Sequence, residues 1–215
     1  MLAGEDPRQR LLDVAGKKFA EKGFDATNVR EITEAAGMNV AAVNYHFGSK
    51  EELYIEAVRH AARTCEQITP MPTWPEGVPP EERLRDFIRA FLTRLLREDA
   101  PVWHRHLIMR EVADPRPGAC EEFVRVFVKP MFEVLKGILQ ELAPAGTATE
   151  DLQLTGASIV GQCLHYHHAR HIMRQLFGEE QYRRFGLDRV TDHVWRFSLA
   201  AVRGQFIRPG QGERR

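Results

Sequence analysis

The stretch Thr27-Asn28-Val29-Arg30-Glu31-Ile32-Thr33-Glu34-Ala35-Ala36-Gly37-Met38-Asn39-Val40-Ala41-Ala42-Val43-Asn44-Tyr45-His46-Phe47 decides the fold. Asn28 followed three residues later by Glu31 is a capping box that opens a short helix. Val29, Ile32 and the Ala35-Ala36 pair give that helix an apolar face, and Gly37 ends it with a backbone angle other residues avoid. Asn39 then predicts a cap for a second short helix running to about Phe47. Val40, Val43 and Phe47 repeat at i, i+3 and i+7 and are expected to point inward. Asn39, Ala41, Ala42, Asn44, Tyr45 and His46 fall on its other sides. Small Ala35 and Ala36 let the two helices approach closely. This is a helix-turn-helix pattern, and its second helix suits a DNA major groove: Asn44 can pair with adenine and alanines can touch thymine methyls.

Working outward, Asp6-Pro7 reads as an N-cap with proline at the first helical position. Leu11, Leu12, Ala15, Phe19 and Ala20 form one face of that helix, and Gly23 stops it in the left-handed conformation. Ser49 and Glu52 form another capping box, opening a helix through Leu53, Ile55, Ala57, Val58 and Ala61-Ala62. Five prolines in residues 68–80 cannot be helix. Beyond them helical spacing predicts helices near 81–98, 101–113, 117–142, 149–177 and 188–207, with a kink or break at Pro130. No stretch alternates with a strand's period, so the fold class is all-α. The expected division is a helix-turn-helix domain over 1–48, a linking helix over 49–66, a proline-rich connector over 67–80, a ligand-binding and dimerisation domain over 81–208 and a frayed tail over 209–215.

The 215 residues carry 30 Lys+Arg and 30 Asp+Glu, so no strong whole-chain field marks a nucleic-acid or membrane partner. Residues 1–66 hold nine basic and eleven acidic side chains, so any DNA contact must come from local cations and helix N-termini. Cys65, Cys120 and Cys163 form no CxxC pair, and their odd number suits a reducing cytosol. The acidic N-terminus does not read as a secretory signal. Leu152 to Ala169 lacks Asp, Glu, Lys and Arg, but Gln153, Gln162, His165, His167 and His168 make it a buried helix rather than a membrane span.

The residues Gly23-Phe24-Asp25-Ala26-Thr27, Ala35-Ala36-Gly37-Met38-Asn39 and Tyr45-His46-Phe47-Gly48-Ser49-Lys50-Glu51-Glu52-Leu53 resemble the TetR family of transcriptional repressors over about residues 8–60. Arg110-Glu111, Pro130, Ser158 to Cys163 and Phe197-Ser198 are similar to the body of CecR-like (YbiH-like) members. The resemblance implies a ligand-responsive repressor that binds a near-palindromic double-stranded operator as a homodimer, is released by a small-molecule effector, and works in the cytoplasm without enzymatic activity, cofactor or membrane. It carries Thr27 over as a phosphate-meeting N-cap, Asn44, Tyr45 and His46 as recognition-helix positions near bases and backbone, and Lys50 as a phosphate contact, while the residues themselves add Asn28, Asn39, Ala41 and Ala42 as DNA-facing candidates. Asn39 and Val43-Asn44 depart from the usual pattern, so no operator sequence follows from relatives.

In the body, Trp103, His106, Met109, Arg110, Phe127, Met131, Cys163, Tyr166 and His167 are candidates for a ligand pocket, although the same spacing suits ordinary core. His104 and Phe123 share that spacing. Gly156, Ala157, Gly161 and Cys163, with Val194, Phe197, Leu199, Ala201 and Val202, predict a dimer seam of two helices per protomer. His165, His167, His168 and His171 offer an i, i+4 pair, but no third metal ligand is marked, and polar histidines at a seam or pocket wall explain them equally. The rival reading is a metal-binding or enzymatic helical bundle with a vestigial head. GxSxG, P-loop, GxGxxG and ExxH motifs are absent, which speaks against it.

Overall fold

The computed structural model describes residues 6–96 and 102–205. The first residues, Pro101 and the expected tail lie outside these. Every regular element described is helical, as the sequence predicts. Two compact units form, and they do not follow chain order. Met1–Ile68 groups with Glu98–Pro130, and Thr69–Arg97 groups with Met131–Arg215. Residues 102–130, which the sequence places in the C-terminal domain, therefore pack with the N-terminal helices.

The first unit contains α1 (Pro7–Lys22), α2 (Val29–Ala35), α3 (Ala41–Phe47), α4 (Lys50–Ile68), α6 (Val102–Ala113) and α7 (Ala119–Phe123). The Asp6 side chain accepts from the Arg8 N–H at 3.1 Å, with Pro7 at the helix start. Leu11, Leu12, Ala15, Phe19 and Ala20 are buried as predicted. Gly23 ends α1 with φ +79° and ψ 174°, an extended glycine-only conformation rather than the left-handed helical one expected. Gly16, in the middle of α1, has no role in the sequence reading. A Cβ there would sit 2.1 Å from Trp103 Cζ3 of α6, so glycine is what lets the indole lie against the helix.

In α4, the Glu52 N–H donates to Ser49 Oγ at 3.1 Å. Leu53, Tyr54, Ala57, Val58, Ala61 and Ala62 face the core, joined by Leu107 and Ile108 of α6 and Phe123 of α7. The helix expected over 117–142 is interrupted. After α7, Val124–Val128 forms a π-helical turn in which the Lys129 N–H reaches back five residues to the Val124 carbonyl. Pro130, having no N–H, follows directly, and the helix widens at the point where the proline would otherwise break it.

The second unit contains α5 (Pro80–Leu96), α8 (Lys129–Leu142, from Met131 onward), α9 (Thr149–His168), α10 (Arg170–Phe177), α11 (Glu179–Arg183) and α12 (Leu187–Gln205). Leu84, Phe87, Ile88 and Leu92 of α5, Leu135, Ile138 and Leu139 of α8, Ile159 and Cys163 of α9, and Val194 and Val202 of α12 fill its core. The proline-rich stretch is non-helical as expected, and Trp74 Nε1 anchors it by donating to Asp86 Oδ2 at 3.0 Å. The helix expected over 149–177 is two helices, parted at Ala169 (φ −86°, ψ 4°). Alanine is the strongest helix former, so nothing local in the sequence marks that break. No described helix is long and apolar enough to cross a membrane.

Gly16→Ala is expected to lower stability by about 1–3 kcal/mol through overpacking, against about 1 kcal/mol gained in helix propensity. Thermal denaturation checks the direction. In the Trp103→Ala background the same change should stabilise.

Candidate nucleic-acid interface

The entry to α2 differs in detail from expectation. Asn28 is the cap: its Oδ1 accepts from the Glu31 N–H at 2.8 Å. The Glu31 carboxylate does not return to complete the box. It pairs with Lys22 and, at 3.2 Å, with Lys18 of α1, and hydrogen bonds from Lys22 and then Lys18 hold its pKa below the ordinary carboxylate range. Thr27 corrects the sequence reading. It is fully buried, and its hydroxyl donates to the Gly23 carbonyl at 2.7 Å, so it fastens the α1–α2 turn and does not present itself to a phosphate.

Ala36 is buried between the helices, while Ala35 is exposed. Gly37 turns the chain at φ +67°. Val40, not Asn39, occupies the N-cap of α3 without a side-chain cap, and Asn39 contributes its carbonyl to the Ala42 N–H at 3.0 Å. Val43 and Phe47 are buried, as the apolar stripe predicts. Val40, at the outer end of that stripe, is 50% exposed. Asn39, Ala41 and Asn44 are exposed, Ala42 and His46 half-buried, and Tyr45 is 85% exposed with its ring 4.8 Å from that of His46. Seven residues of α3 thus spend two large apolar side chains on the core and leave polar and small ones outward.

Cations flank this face. Lys50 Nζ lies 4.2 Å from the centroid of the Phe24 ring, and the Arg8 guanidinium lies 4.7 Å from that of Phe47. Phe24 is itself clamped: the Arg116 guanidinium covers it at 4.5 Å and Tyr54 meets it edge-on at 5.2 Å. Tyr54 donates its hydroxyl to Glu111 Oε2 at 2.8 Å, and Glu111 Oε1 accepts from the Arg116 N–H at 2.8 Å. Glu111 is 1% exposed, so its two oxygens are spent on these partners and not on solvent. Burial, with Glu111 alongside, raises the Tyr54 pKa above the ordinary phenol value. Arg116 also pairs with Asp25, Arg110 donates to the Glu21 carbonyl at 3.3 Å, and Arg59 pairs with Glu122 at 2.7 Å.

The nine ligand-pocket candidates are divided between the two units. Trp103, His106, Met109, Arg110 and Phe127 belong to the first unit, where Trp103 packs on Gly16 and Arg110 meets the end of α1. Met131, Cys163, Tyr166 and His167 belong to the second. Met131 and Cys163 are core residues there, and burial pushes the Cys163 thiol up to about 12. His167 Nδ1 lies 2.9 Å from the Leu95 carbonyl. The break at Ala169 puts His167 and His171 on different helices. Among the described residues no group of three or more His, Cys, Asp or Glu is arranged to hold a metal ion.

A cavity of about 340 Å³ does form in the second unit, and of the nine candidates only Tyr166 lines it. Its other walls are Met173, Phe177, Phe185, Arg189, Val190, His193 and Arg196. The sequence reading missed it because its far wall belongs to helices parted by the unmarked break. The i, i+4, i+7 spacing of Arg189, His193 and Arg196 was legible and unread.

A helix-turn-helix head on an all-α chain defines a class of DNA-binding architecture. The profile of bacterial regulatory proteins of the tetR family matches residues 11–57, and that of the C-terminal domain of the HTH-type transcriptional dual regulator CecR matches residues 80–202. The chain belongs to the TetR family and carries a CecR-type C-terminal domain. It is 34% identical over 128 residues to the HTH-type transcriptional dual regulator CecR of Shigella flexneri, covering 53% of this chain and 55% of that protein. It is 39% identical over 71 residues to the HTH-type transcriptional repressor AcnR of Corynebacterium glutamicum, covering 31% and 38%. The chain thus spans about half the length, or less, of these curated relatives. A tetR-family regulatory protein from Rhodococcus RHA1 shares the fold with a TM-score of 0.65 at 16% identity, over 93% of this chain and 98% of that one. AibR, solved with isovaleryl coenzyme A and operator DNA, shares it with a TM-score of 0.56 at 18% identity, over 75% and 86%.

Glu111→Ala orphans the Tyr54 hydroxyl and the Arg116 N–H together and is expected to cost about 1–3 kcal/mol per unsatisfied buried group. Tyr54→Phe leaves Oε2 of the buried Glu111 carboxylate without its donor and should itself cost about 1–3 kcal/mol. Urea denaturation of both and of the double variant checks this, with the double variant less destabilised than the sum.

Proposed function

We propose that this chain is a ligand-responsive DNA-binding transcriptional regulator of the repressor type, acting in the cytoplasm as a homodimer on a near-palindromic operator and carrying no catalytic site. The observation that supports it most is the outward face of α3, with Asn44 and Tyr45 exposed while Val43 and Phe47 are spent on the core. In the groove, Asn44 pairs with an adenine edge, and Ala41, Ala42 and Val40 meet thymine methyls. Asn39, Tyr45 and His46 reach bases or backbone beside them. Lys50 and the Asn28 end of α2 meet phosphates.

The homodimer reading is supported by a stripe the second unit leaves open. Leu154, Ala157, Ser158, Gly161 and His165 of α9 are exposed, as are Phe197, Ala200, Ala201 and Gly204 of α12. These are mostly small, and the Ser158 hydroxyl is already donated to the Leu154 carbonyl at 2.8 Å, so a twofold copy can approach closely. Of the seam residues predicted from sequence, Gly156, Cys163, Val194, Leu199 and Val202 instead face their own core, Gly156 because a Cβ would lie 2.9 Å from Phe132 Cζ. A twofold dimer sets two α3 helices about 34 Å apart, one turn of the duplex. An effector releases DNA only by binding the DNA-incompetent spacing more tightly. AibR, a fold neighbour, is a protein for which effector and operator are seen together.

Fluorescence anisotropy on the DNA upstream of the chain's own gene, against a scrambled duplex, tests this. Sequence-dependent nanomolar binding is expected. Asn44→Ala should cost about tenfold or more, from a bidentate contact of roughly 1–3 kcal/mol, with unchanged thermal stability. With few phosphates neutralised, at about 0.9 in log–log salt slope each, a dimer slope steeper than about −8 contradicts the interface.

A further inference from the structure

We infer that the cavity between α9, α10 and α12 is a binding site for an amphipathic organic anion, its acid group on Arg189, His193 and Arg196 and its hydrocarbon against Tyr166, Phe177 and Phe185. This deepens the effector reading above and rests on it only for its consequence on DNA.

Three observations carry the assignment. The first is size and wall chemistry: about 340 Å³, lined by rings on one side, lies within the range of small-molecule sites. The second is charge. Arg189, His193 and Arg196 recur at i, i+4 and i+7 along one face of α12, and among the described residues no carboxylate lines the cavity with them. The third is what α12 does with its acids. Asp188 and Asp192, on the neighbouring face, pair with Arg89 and Arg85 of α5, so the helix's own carboxylates are turned away and committed. Arg174 of α10 is likewise committed, to Glu179 at 3.8 Å and to the Tyr182 ring at 5.0 Å. Arg189 has no ion pair among the described residues, and Arg196 Nε donates only to the Asp192 carbonyl of its own helix, at 3.2 Å. A cavity with Arg189 and Arg196 at its edge and no acid in its described lining disfavours a cationic guest and offers a neutral one no charge partner. An anion with a hydrocarbon body satisfies both halves, through charge-assisted hydrogen bonds and burial of the tail. The same face of α12 carries Phe197, Ala200 and Gly204 of the proposed seam, and the His193 ring lies 6.4 Å from that of Phe197, so a partner chain would border the cavity, and whether it seals it is an outcome of the test.

Calorimetry of the full-length dimer with sodium decanoate, 1-decanol and sodium acetate tests it. Decanoate is expected to bind once per chain, at least about tenfold tighter than decanol and far tighter than acetate. In Arg189→Gln/Arg196→Gln, decanoate should weaken about tenfold or more while decanol is unchanged; both arginines are exposed, so the fold is kept. Phe185→Ala should weaken both decanoate and decanol. Equal affinity for decanoate and decanol, full decanoate affinity in the double arginine variant, or no heat with any probe because a second copy seals the cavity each overturns the assignment. Anisotropy on DNA without probe separates the two readings. DNA binding without decanoate binding removes the cavity assignment alone, and decanoate binding without DNA binding removes the regulator reading and leaves the cavity.

Discussion

The hydroxyl of Tyr54 donates to a carboxylate that is 1% exposed, and the first unit is arranged around that bond. A charge so far from water is tolerable only when its oxygens are occupied, and Glu111 meets this with Tyr54 on α4 and the Arg116 N–H beyond α6. Both bonds are lost if α4 slides or rotates against α6. The position of α4 is thereby fixed, and Phe19, Phe24 and Tyr54 fix α1 against it through ring contacts of 5.0 to 6.0 Å. The α2–α3 pair hangs on this frame by the buried Thr27 hydroxyl and the Glu31 pairs to α1. The helix-turn-helix head therefore packs within a unit of six helices.

The head's own segment, residues 1–66, carries more acids than bases. Much of its charge is consumed internally: Glu31 by Lys18 and Lys22, Glu56 and Glu122 by Arg59, Asp25 by Arg116. These pairs spend as many of the segment's bases as its acids and leave its net count unchanged, while the outward face of α3 is polar and small, with Lys50 and Arg8, itself 3.6 Å from Glu56, at its margins. Under the proposed reading, specificity would rest on base-edge contacts and helix geometry more than on bulk attraction.

Much of this was legible in the sequence, and the failures share a cause. Asp6, Asn28 and Ser49 cap helices as read, because a cap is a local interaction among residues three apart. Of the expected inward stripe Val40, Val43 and Phe47, the last two are buried while Val40 is half exposed and takes the cap position expected of Asn39, so even local periodicity was read only in part. Thr27 was misassigned because nothing nearby reveals that its hydroxyl turns to the Gly23 carbonyl. Gly16, Trp103 and Glu111 are explained only by partners tens of residues away. The break at Ala169 falls on the residue type least expected to break a helix, and the pocket assembled across it was therefore invisible, while five of the nine pocket candidates turned out to serve the head's own unit.

The central claim is that two α3 helices of a dimer enter successive major grooves. Hydroxyl-radical footprinting on an operator fragment measures this directly. The account predicts two protected segments related by a dyad, with centres one helical turn or about 34 Å apart. A single protected segment, or protection with no dyad, would contradict it.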